Sequence, residues 1–216
     1  MHNFTTRIFS CVGFIVYDRF TFVDILETAR FFDSRAERWD EMPHDPVLVN
    51  RILDKALSPN ARKVLDVACG TGVLFPFFLE RGITDITAVD VSEGMINVAR
   101  RKSGESDAIK LICADAAAYP FEGKFDSIII YNAFPHFSDP EALVSNLVPH
   151  LEKGGLLSIA HSAGREELNA FHKEHASPIS FPLPPAEDVA LLLGKHLTVR
   201  HVISEEHLYL VSAGIQ

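Results

Sequence analysis

Residues 63–72 read KVLDVACGTG, and this stretch decides the fold class. Its first five residues form an apolar run typical of a buried strand, and the small residues after them predict a tight turn before a helix. Asp66 stands near the end of that strand, and Ala68, Gly70 and Gly72 would let a ligand approach the backbone closely. A strand, a glycine-rich turn and a helix in this order indicate a ligand site at the edge of a parallel sheet.

The rest of the chain alternates strand-like and helix-like segments. Because the strands are apolar on both faces, we expect an α/β fold with a largely parallel sheet wrapped by helices. Two β-like runs close the chain after a helix that starts at Pro185. The predicted strands are 86–90, 109–113, 125–131, 156–160, 196–203 and 207–211, and the predicted helices before Pro185 are 73–81, 92–101, 139–150 and 165–175.

Three carboxylates recur at the ends of successive predicted strands. Asp66, Asp90 and Asp115 are spaced 24 and 25 residues apart, which is the length of one βα unit. Each unit therefore delivers a carboxylate to the carboxyl edge of the sheet, where open α/β sheets bind ligands. Taken one at a time, each carboxylate could equally cap a turn at the end of its strand.

The glycine-rich turn differs from a dinucleotide-binding fingerprint in two ways. Val73 stands where a third glycine would fall, and Asp66 would repel a pyrophosphate at the N-terminus of the helix. A carboxylate there suits a cationic group instead. Asp90 could accept both hydroxyls of a ribose, and Asp115 could accept from an exocyclic amine. These groups describe a ligand with an ammonium group, a ribose and an adenine, and S-adenosylmethionine fits that description.

Residues 64–72 resemble motif I of the class I S-adenosylmethionine-dependent methyltransferases. The alanine in place of the first glycine is similar to the ubiquinone/menaquinone-biosynthesis methyltransferase group. Residues 88–92 with Met95 resemble the ribose-binding strand and helix of the family, and residues 113–116 and 119–121 resemble its adenine-contacting segment.

Two later segments extend the resemblance. Residues 125–133 resemble the strand and loop beside the transferred methyl group, and residues 151–155 resemble the turn before strand five. The resemblance spans residues 32–212. It implies a Rossmann-like, seven-stranded, mostly parallel sheet with helices on both faces and an antiparallel last strand.

The resemblance also assigns residues to the cofactor S-adenosylmethionine. Asp66 and Gly70 would line the methionine end, Asp90 would bind the ribose, and Asp115 and Ala116 would contact the adenine. An N-terminal segment with Phe32 and Trp39 would cap the cofactor, although both side chains could simply pack an N-terminal helix. The cofactor residues so implied are Trp39, Asp66, Ala68, Gly70, Thr71, Gly72, Asp90, Val91, Met95, Asp115, Ala116 and Asn132.

Methyl transfer is an in-line displacement that needs an aligned nucleophile and, for a protonated acceptor, a base. The candidates are Tyr131, His136 and His161, which follow or end strands four and five. Either histidine could instead cap a strand or face solvent. We predict no metal, and the weak candidates for one are His161 together with His172 and His175, which are three residues apart on a predicted helix.

Composition excludes several classes of protein. The chain has 216 residues, with 20 Lys and Arg against 29 Asp and Glu, and its net charge of −9 does not suit a nucleic-acid partner. The three cysteines, Cys11, Cys69 and Cys113, are too few for a disulfide framework. An early apolar run at residues 8–17 is about ten residues long, against roughly 20 for a membrane span. We therefore expect a cytoplasmic protein with no membrane partner.

The expected division is an N-terminal extension, residues 1–30, and a methyltransferase domain, residues 31–216. The extension is rich in phenylalanine and could be a cover on the acceptor pocket, a surface for a homodimer, or a stretch with no role. The proline-rich residues 177–185 suggest a semi-rigid lid over a small acceptor.

The expected function is transfer of a methyl group from S-adenosylmethionine to a small-molecule acceptor. Two alternatives stay open. One is a catalytically inactive S-adenosylmethionine-binding partner subunit, and the other is a nucleotide-dependent oxidoreductase, which Val73 and Asp66 disfavour.

Overall fold

The computed structural model describes residues 24–41, 44–104 and 106–215. The strands are β1 Lys63–Val67, β2 Asp85–Asp90, β3 Ile109–Cys113, β4 Phe125–Tyr131, β5 Leu151–His161, β6 Thr198–Glu205 and β7 Leu208–Gly214. The α-helices are α1 Ile25–Asp33, α2 Pro46–Ala56, α3 Phe75–Glu80, α4 Glu93–Ser103, α5 Pro140–Leu147, α6 Arg165–His175 and α7 Ala186–Gly194. Short 3-10 helices cover Ala36–Glu41, Phe134–His136, Val148–His150 and Ser177–Ile179.

The seven strands form one sheet in the order β3-β2-β1-β4-β5-β7-β6. The strands from β3 to β5 in that order pair in parallel, whereas β7 runs antiparallel to both β5 and β6. The strand order reverses between β1 and β4, which is the switch point where ligands bind in sheets of this kind. The predicted Rossmann-like, mostly parallel sheet with an antiparallel last strand is confirmed.

Helices cover both faces of the sheet. On one face, the buried residues Leu143 and Leu147 of α5 and Leu193 of α7 pack in one cluster with β4 and β5. On the other face, Ile52 of α2 and Phe78 of α3 pack in a second cluster with β1 and β2. Because the central strands are covered on both sides, their buried side chains are mostly apolar, as the sequence pattern predicts, with Asp66, Ser127 and Ser158 as buried polar exceptions.

Carboxylate caps fix where several helices begin. The side chains of Asp24, Asp45 and Asp139 accept backbone N–H groups at the first turns of α1, α2 and α5. Pro46 and Pro140 stand at the first position of α2 and α5, where a missing N–H costs nothing. The cap at residue 139 confirms the predicted helix there, and the same signal at residue 45 marks α2, which the sequence analysis does not predict.

Two elements differ from the prediction for local reasons. Strand β5 begins at Leu151 and not at residue 156, because Leu151 pairs with Phe125 before the register shifts at Ser127. Helix α3 begins at Phe75 and not at residue 73, because residues 71–74 continue the turn.

Helix α1 crosses the predicted boundary between residues 30 and 31. Its last residue, Asp33, accepts hydrogen bonds from Ser92 Oγ at 2.6 Å and from the Gly94 N–H at 2.8 Å, which attach α1 to the start of α4. Residues 1–23, with Cys11 and the apolar run at 8–17, lie outside the described residues. In the part of the chain that is described, no helix is both long and apolar enough to cross a bilayer.

Candidate active site

A cavity of about 630 Å³ opens at the carboxyl edge of the sheet. Its wall runs from Asp115, after β3, to Ser162, after β5, and is completed by α1 and the 3-10 helix Ala36–Glu41. All the predicted cofactor residues contribute to this wall except Asp66 and Gly72. Tyr131 and His136 also line it, and His161 lies outside it.

The loop after β1 is held in a conformation that needs small residues. Ala68, Gly70 and Gly72 have φ angles of 56°, 56° and 81°, in the left-handed region. A Cβ atom at Gly72 would lie 2.3 Å from the ring of Phe75, so a side chain there would require that buried ring to move. A Cβ atom at Gly70 would meet nothing nearer than Trp39 Nε1 at 3.9 Å. At Gly70 the φ angle, and not crowding, favours glycine, and the backbone stays open toward the cavity.

Asp90 joins this loop to the start of α4. Its two carboxylate oxygens accept the Gly70 N–H and the Ser92 N–H, both at 2.9 Å. Burial raises the pKa of Asp90 to about 6, although these hydrogen bonds favour the ionised form. Each carboxylate oxygen retains a second lone pair. Asp90 can therefore cap the turn and still accept ligand hydroxyls, so the two interpretations of this residue are compatible.

Asp66 lies inside the sheet and not on the cavity wall. It is 2% exposed, and its Oδ2 atom has no hydrogen-bond partner within the described residues. Burial, followed by the nearby charge of Asp90, raises the pKa of Asp66 to about 8. The side chain is therefore protonated at neutral pH unless a cation comes close.

The predicted adenine and ribose residues line the other end of the cavity wall. Asp115 accepts the Ala117 N–H at 2.9 Å through Oδ1, which fixes the turn after β3. Ala116 and Met95 are buried, and Val91 follows Asp90 on the wall. These residues form a small apolar surface beside two carboxylates.

The N-terminal segment is attached over this surface by Asp40. Its Oδ1 atom accepts from Thr71 Oγ1 at 2.6 Å, and its Oδ2 atom accepts from Lys102 Nζ at 2.8 Å. Burial opposes the charge, but the hydrogen bonds from Lys102 and Thr71 hold the pKa of Asp40 below its usual value. The ring of Trp39 stands 5.4 Å from that of Phe32, and both side chains line the cavity. The segment predicted as a cap therefore lies along the cavity, and Asp40, which belongs to the same stretch, attaches it.

Asn132 and Tyr131 shape the wall at the end of β4. Asn132 has a φ angle of 55°, and its amide exchanges two hydrogen bonds with Ser162, at 2.9 and 2.8 Å. These bonds tie the ends of β4 and β5 together. Tyr131 is 6% exposed, and burial raises its pKa although side-chain hydrogen bonds with Ser162 and Asn132 oppose the rise.

His136 is held in one orientation by the segment 177–185. Its Nδ1 atom lies 2.9 Å from the carbonyl oxygen of Ile179 and 3.2 Å from Ser180 Oγ. Its ring meets the edge of Phe32 at 5.0 Å between centroids. Burial lowers the pKa of His136 to about 4, so the ring is neutral at physiological pH. Donation from Nδ1 to the Ile179 carbonyl leaves Nε2 as a hydrogen-bond acceptor.

His161 does not take the position expected of a catalytic residue. It is the last residue of β5 and pairs with Tyr209 of β7, whose ring lies 5.8 Å away. Because side chains alternate along a strand, His161 shares the face of Ile159, under the helices. It is fully buried, and burial lowers its pKa to about 3.

Two of the three weak metal candidates lie near each other, since His161 is close enough to His172, and to His136, for their charges to interact. His172 is buried with its ring 5.2 Å from that of His136, whereas His175 is exposed and stacks on Phe171 at 4.5 Å. Across the described ranges, no group of three His, Cys, Asp or Glu side chains is arranged to hold a metal ion.

The sequence analysis does not identify two further residues of the cavity wall. Thr28 of α1 is 3% exposed, and His44 precedes α2. Thr28 Oγ1 and His44 Nε2 are buried and lack partners among the residues that the structure describes. Asp45 and Pro46 form a recognisable helix start, which would have placed His44 in the loop before it. No local sequence pattern predicts that Thr28 lines the cavity.

The sequence matches known methyltransferases over its central part. Residues 64–155 match the sequence model of a family described as a methyltransferase domain. A malonyl-[acyl-carrier protein] O-methyltransferase from Acetivibrio thermocellus is 34% identical over 116 residues, which cover 52% of this chain and 41% of that protein. A ubiquinone biosynthesis O-methyltransferase from Pseudomonas entomophila is 32% identical over 144 residues, covering 62% of this chain and 61% of the relative. The chain thus spans between 41% and 61% of the length of these relatives.

The fold also matches solved structures. The N-methyltransferase NodS from Bradyrhizobium japonicum WM9, in complex with S-adenosyl-L-homocysteine, aligns with a TM-score of 0.65 at 16% identity, over 88% of this chain and 97% of NodS. At that identity the likeness concerns the fold. The central residues thus match a methyltransferase domain, and the sheet is of the kind seen in a solved methyltransferase with bound S-adenosyl-L-homocysteine.

Proposed function

We propose that the chain binds S-adenosylmethionine and transfers its methyl group to a small-molecule acceptor. The observation that carries this proposal is the convergence of the left-handed loop 68–72, Asp90 and Asp115 on one cavity at the switch point of the sheet. A cation, a ribose and an adenine would each find a group of matching chemistry there.

The residues present fit such a cofactor. Asp66 lies behind the loop and off the wall, and its unpaired Oδ2 would act on an ammonium group at the loop only through its charge, which a bound cation would favour. Gly70 leaves the backbone open to the cavity, and Asp90 keeps lone pairs for two hydroxyls. Asp115 and Ala116 would hold the adenine, and Trp39 would cover it. When bound, the cofactor supplies an electrophilic methyl group on a positively charged sulfur.

His136 is the proposed catalytic base. Its Nε2 atom carries a lone pair because Nδ1 donates to the Ile179 carbonyl, and the ring lies on the cavity wall. Tyr131 would orient the acceptor through its hydroxyl, and the Asn132–Ser162 pair would fix the loop beside it. His161 has no role in this proposal because it faces the helices.

A small acceptor suits the way this cavity is closed. Residues 177–185 pack on α1, since Ile179 joins an apolar cluster with Phe31, Phe32 and Phe181. The Phe181 N–H also donates to the Pro135 carbonyl at 2.8 Å. An anchored cover of this kind supports a compact acceptor better than a polymer.

The proposed methyltransferase domain spans residues 31–216, and α1 brings residues 25–30 into it because Ile25 and Thr28 line the cavity. Free thiols at Cys69 and Cys113 support the proposed cytoplasmic location.

Calorimetric titration of the purified chain with S-adenosylhomocysteine and with NAD tests the proposal. We expect one S-adenosylhomocysteine site per chain and no competition by NAD. A folded chain that binds NAD and not S-adenosylhomocysteine would point to the oxidoreductase alternative. Turnover of S-adenosylmethionine on an acceptor panel of thiols, phenols and quinol precursors then separates an enzyme from an inactive partner subunit.

A further inference from the structure

A row of polar side chains lies behind the cavity wall, on the face of the sheet that α5 and α7 cover. The ring of His172 lies 5.2 Å from that of His136 on the wall, measured between centroids. His161 is close enough to both rings for their charges to interact, most strongly with His172. The ring of Tyr209 follows, 5.8 Å from that of His161. We define His136, His172, His161 and Tyr209, in this order, as the polar row.

The inner members of the polar row hold buried polar atoms without partners. Both ring nitrogens of His161, Nδ1 of His172 and the hydroxyl of Tyr209 make no hydrogen bond to any residue that the structure describes. Native proteins pair nearly all such atoms with protein, ligand or ordered water, because leaving one unpaired is costly. Rings that lie 5.2 and 5.8 Å apart, with these atoms between them, suit ordered water molecules that bridge the side chains.

The far end of the polar row approaches a cleft on the surface. Tyr209 pairs with Ser204 of β6 and interacts electrostatically with Glu187 and Arg165. These three neighbours of Tyr209 line a cleft between the starts of α6 and α7 and the turn from β6 to β7. The row therefore extends from the active-site cavity toward a second opening, which is acidic. The other carboxylates on the wall of this cleft are those of Glu166, Glu167, Glu205 and Glu206.

The histidines of the polar row are neutral and, within the described residues, interact with no ionisable group other than one another. Burial lowers the pKa of all three histidines, and burial together with the charge of Glu187 raises the pKa of Tyr209. Each neutral member carries both a donor and an acceptor. A carboxylate beside these rings would hold a proton in place, whereas a row without one can pass the proton on.

The surroundings of His136 create a need for such an outlet. The Ile179 carbonyl binds its Nδ1 atom and the ring of Phe32 packs on it, while cofactor and acceptor would fill the cavity in front. A proton that His136 takes from the acceptor then has no direct contact with bulk water. Because a buried charge without a counter-charge is costly, this proton favours a path that leads to solvent.

We propose that the polar row conducts the acceptor proton from His136 to the acidic cleft through ordered water. This inference rests on the proposed function, in which His136 is the base. Each imidazole takes up a proton on one ring nitrogen and releases one from the other, and the Tyr209 hydroxyl accepts one while it donates its own. The net change is the transfer of one proton from the acceptor to water in the cleft, without any transfer of electrons. His172, His161 and Tyr209 thus act through His136 and do not touch the acceptor.

Proton exchange at the buried rings tests the polar row without any acceptor. The sample is the full chain with nitrogen-labelled histidine, saturated with S-adenosylhomocysteine, and NMR measures how fast the ring N–H protons of His161 and His172 exchange with water. We expect Tyr209→Phe to slow this exchange about tenfold, because it removes the hydroxyl that joins the row to the cleft. Ser212→Ala is the matched control. Ser212 carries a buried hydroxyl, also without a partner among the described residues, on the opposite face of β7.

Turnover provides a second readout. With a member of the acceptor panel that loses a proton on methylation, Tyr209→Phe and His172→Gln should each lower kcat about threefold to tenfold. Both variants should also increase the solvent deuterium isotope effect on kcat and leave the KM for S-adenosylmethionine unchanged. His175→Gln, an exposed histidine on the same helix as His172, should change none of these values.

The outcomes separate the two proposals. A folded chain that fails to bind S-adenosylhomocysteine contradicts the proposed function. A chain that binds it but exchanges its ring protons equally fast with and without the Tyr209 hydroxyl overturns the proton path alone. Equal slowing in Tyr209→Phe and Ser212→Ala would also overturn the path, since any buried hydroxyl on β7 would then have the same effect. A lower kcat with an unchanged isotope effect would overturn it as well, because the row would then only support the packing around His136.

Discussion

The two ends of the cavity are built in different ways. At the cofactor end, the polar side chains are already bonded to the chain: Asp90 to two backbone N–H groups, Asp115 to Ala117, and Asp40 to Thr71. At the end beside β4, which we assign to the acceptor, His136 lines the cavity with a neutral ring, and the buried Thr28 hydroxyl has no partner among the described residues. The first end is organised before a ligand arrives, whereas the second gains its hydrogen bonds only with a matching molecule. We therefore expect backbone geometry to determine the affinity for the cofactor. We expect a few side chains to determine which acceptor is bound.

The strongest test of the acceptor end is the replacement of His136. We expect His136→Gln to lower kcat by about 10²- to 10⁴-fold, the usual contribution of a positioned base, with little change in S-adenosylhomocysteine affinity. Steady-state kinetics on an accepted phenol and calorimetry provide the two readouts. His175→Gln, which changes an exposed histidine outside the wall, is the matched control, and an equal loss of kcat there would contradict the role of His136.

At the cofactor end, the largest effect should come from Gly72. Gly72→Ala combines a left-handed φ of 81° with a Cβ atom 2.3 Å from Phe75, so we expect a loss of about 2–4 kcal/mol in the free energy of unfolding. Gly154→Ala has the same φ of 81° but open space around the Cβ position, and it should cost only about 1–2 kcal/mol. Urea denaturation measures both. Identical losses would mean that crowding at the loop has no part in its shape.

Asp90 should show a smaller effect that is confined to binding. We expect Asp90→Ala to weaken S-adenosylhomocysteine binding by about 1–3 kcal/mol, because ligand hydroxyls lose a charged acceptor. For the unchanged chain, affinity should fall as the pH drops through about 6, since protonation removes the charge of Asp90. Asp85→Ala, at the exposed start of the same strand, should have no effect on either measurement.

We expect Asp66 to release a proton when the cofactor binds. At pH 7 its carboxyl is protonated because its pKa lies near 8, and a bound cation would lower that pKa and expel the proton. We expect S-adenosylmethionine binding near pH 7 to release up to about one proton, measured by calorimetry in buffers of different ionisation enthalpy. Asp66→Asn should abolish the release. A release that persists in this variant would assign it to another group.

The turn and the strand-end carboxylates of the proposed cofactor end could be predicted from the sequence because their signals are local. The turn at Ala68, Gly70 and Gly72 and the carboxylates at strand ends are encoded within a few residues of each other. The strand–helix alternation likewise predicts the central sheet, since buried strands and capped helices leave short-range patterns.

The acceptor end could not be predicted in the same way because distant elements build it. Thr28 reaches the wall through the docking of Asp33 on Ser92, which lies 59 residues further along the chain. The predicted fifth strand ends at residue 160, so the sequence pattern places His161 directly after it. In the structure β5 includes His161. Because side chains alternate along a strand, the His161 side chain lies on the face of the sheet opposite to that of Ala160.

The attachment of α1 has a consequence for how ligands enter and leave. Apart from Thr28, the side chains of α1 are only partly covered, and side-chain hydrogen bonds tie its end to α4 without any strand pairing. Such an element opens at a lower free-energy cost than the sheet does. Its amide hydrogens should therefore exchange with deuterium before those of the core and become protected when the pocket is filled. Local opening of α1 would let the used cofactor leave the cavity while the sheet stays folded.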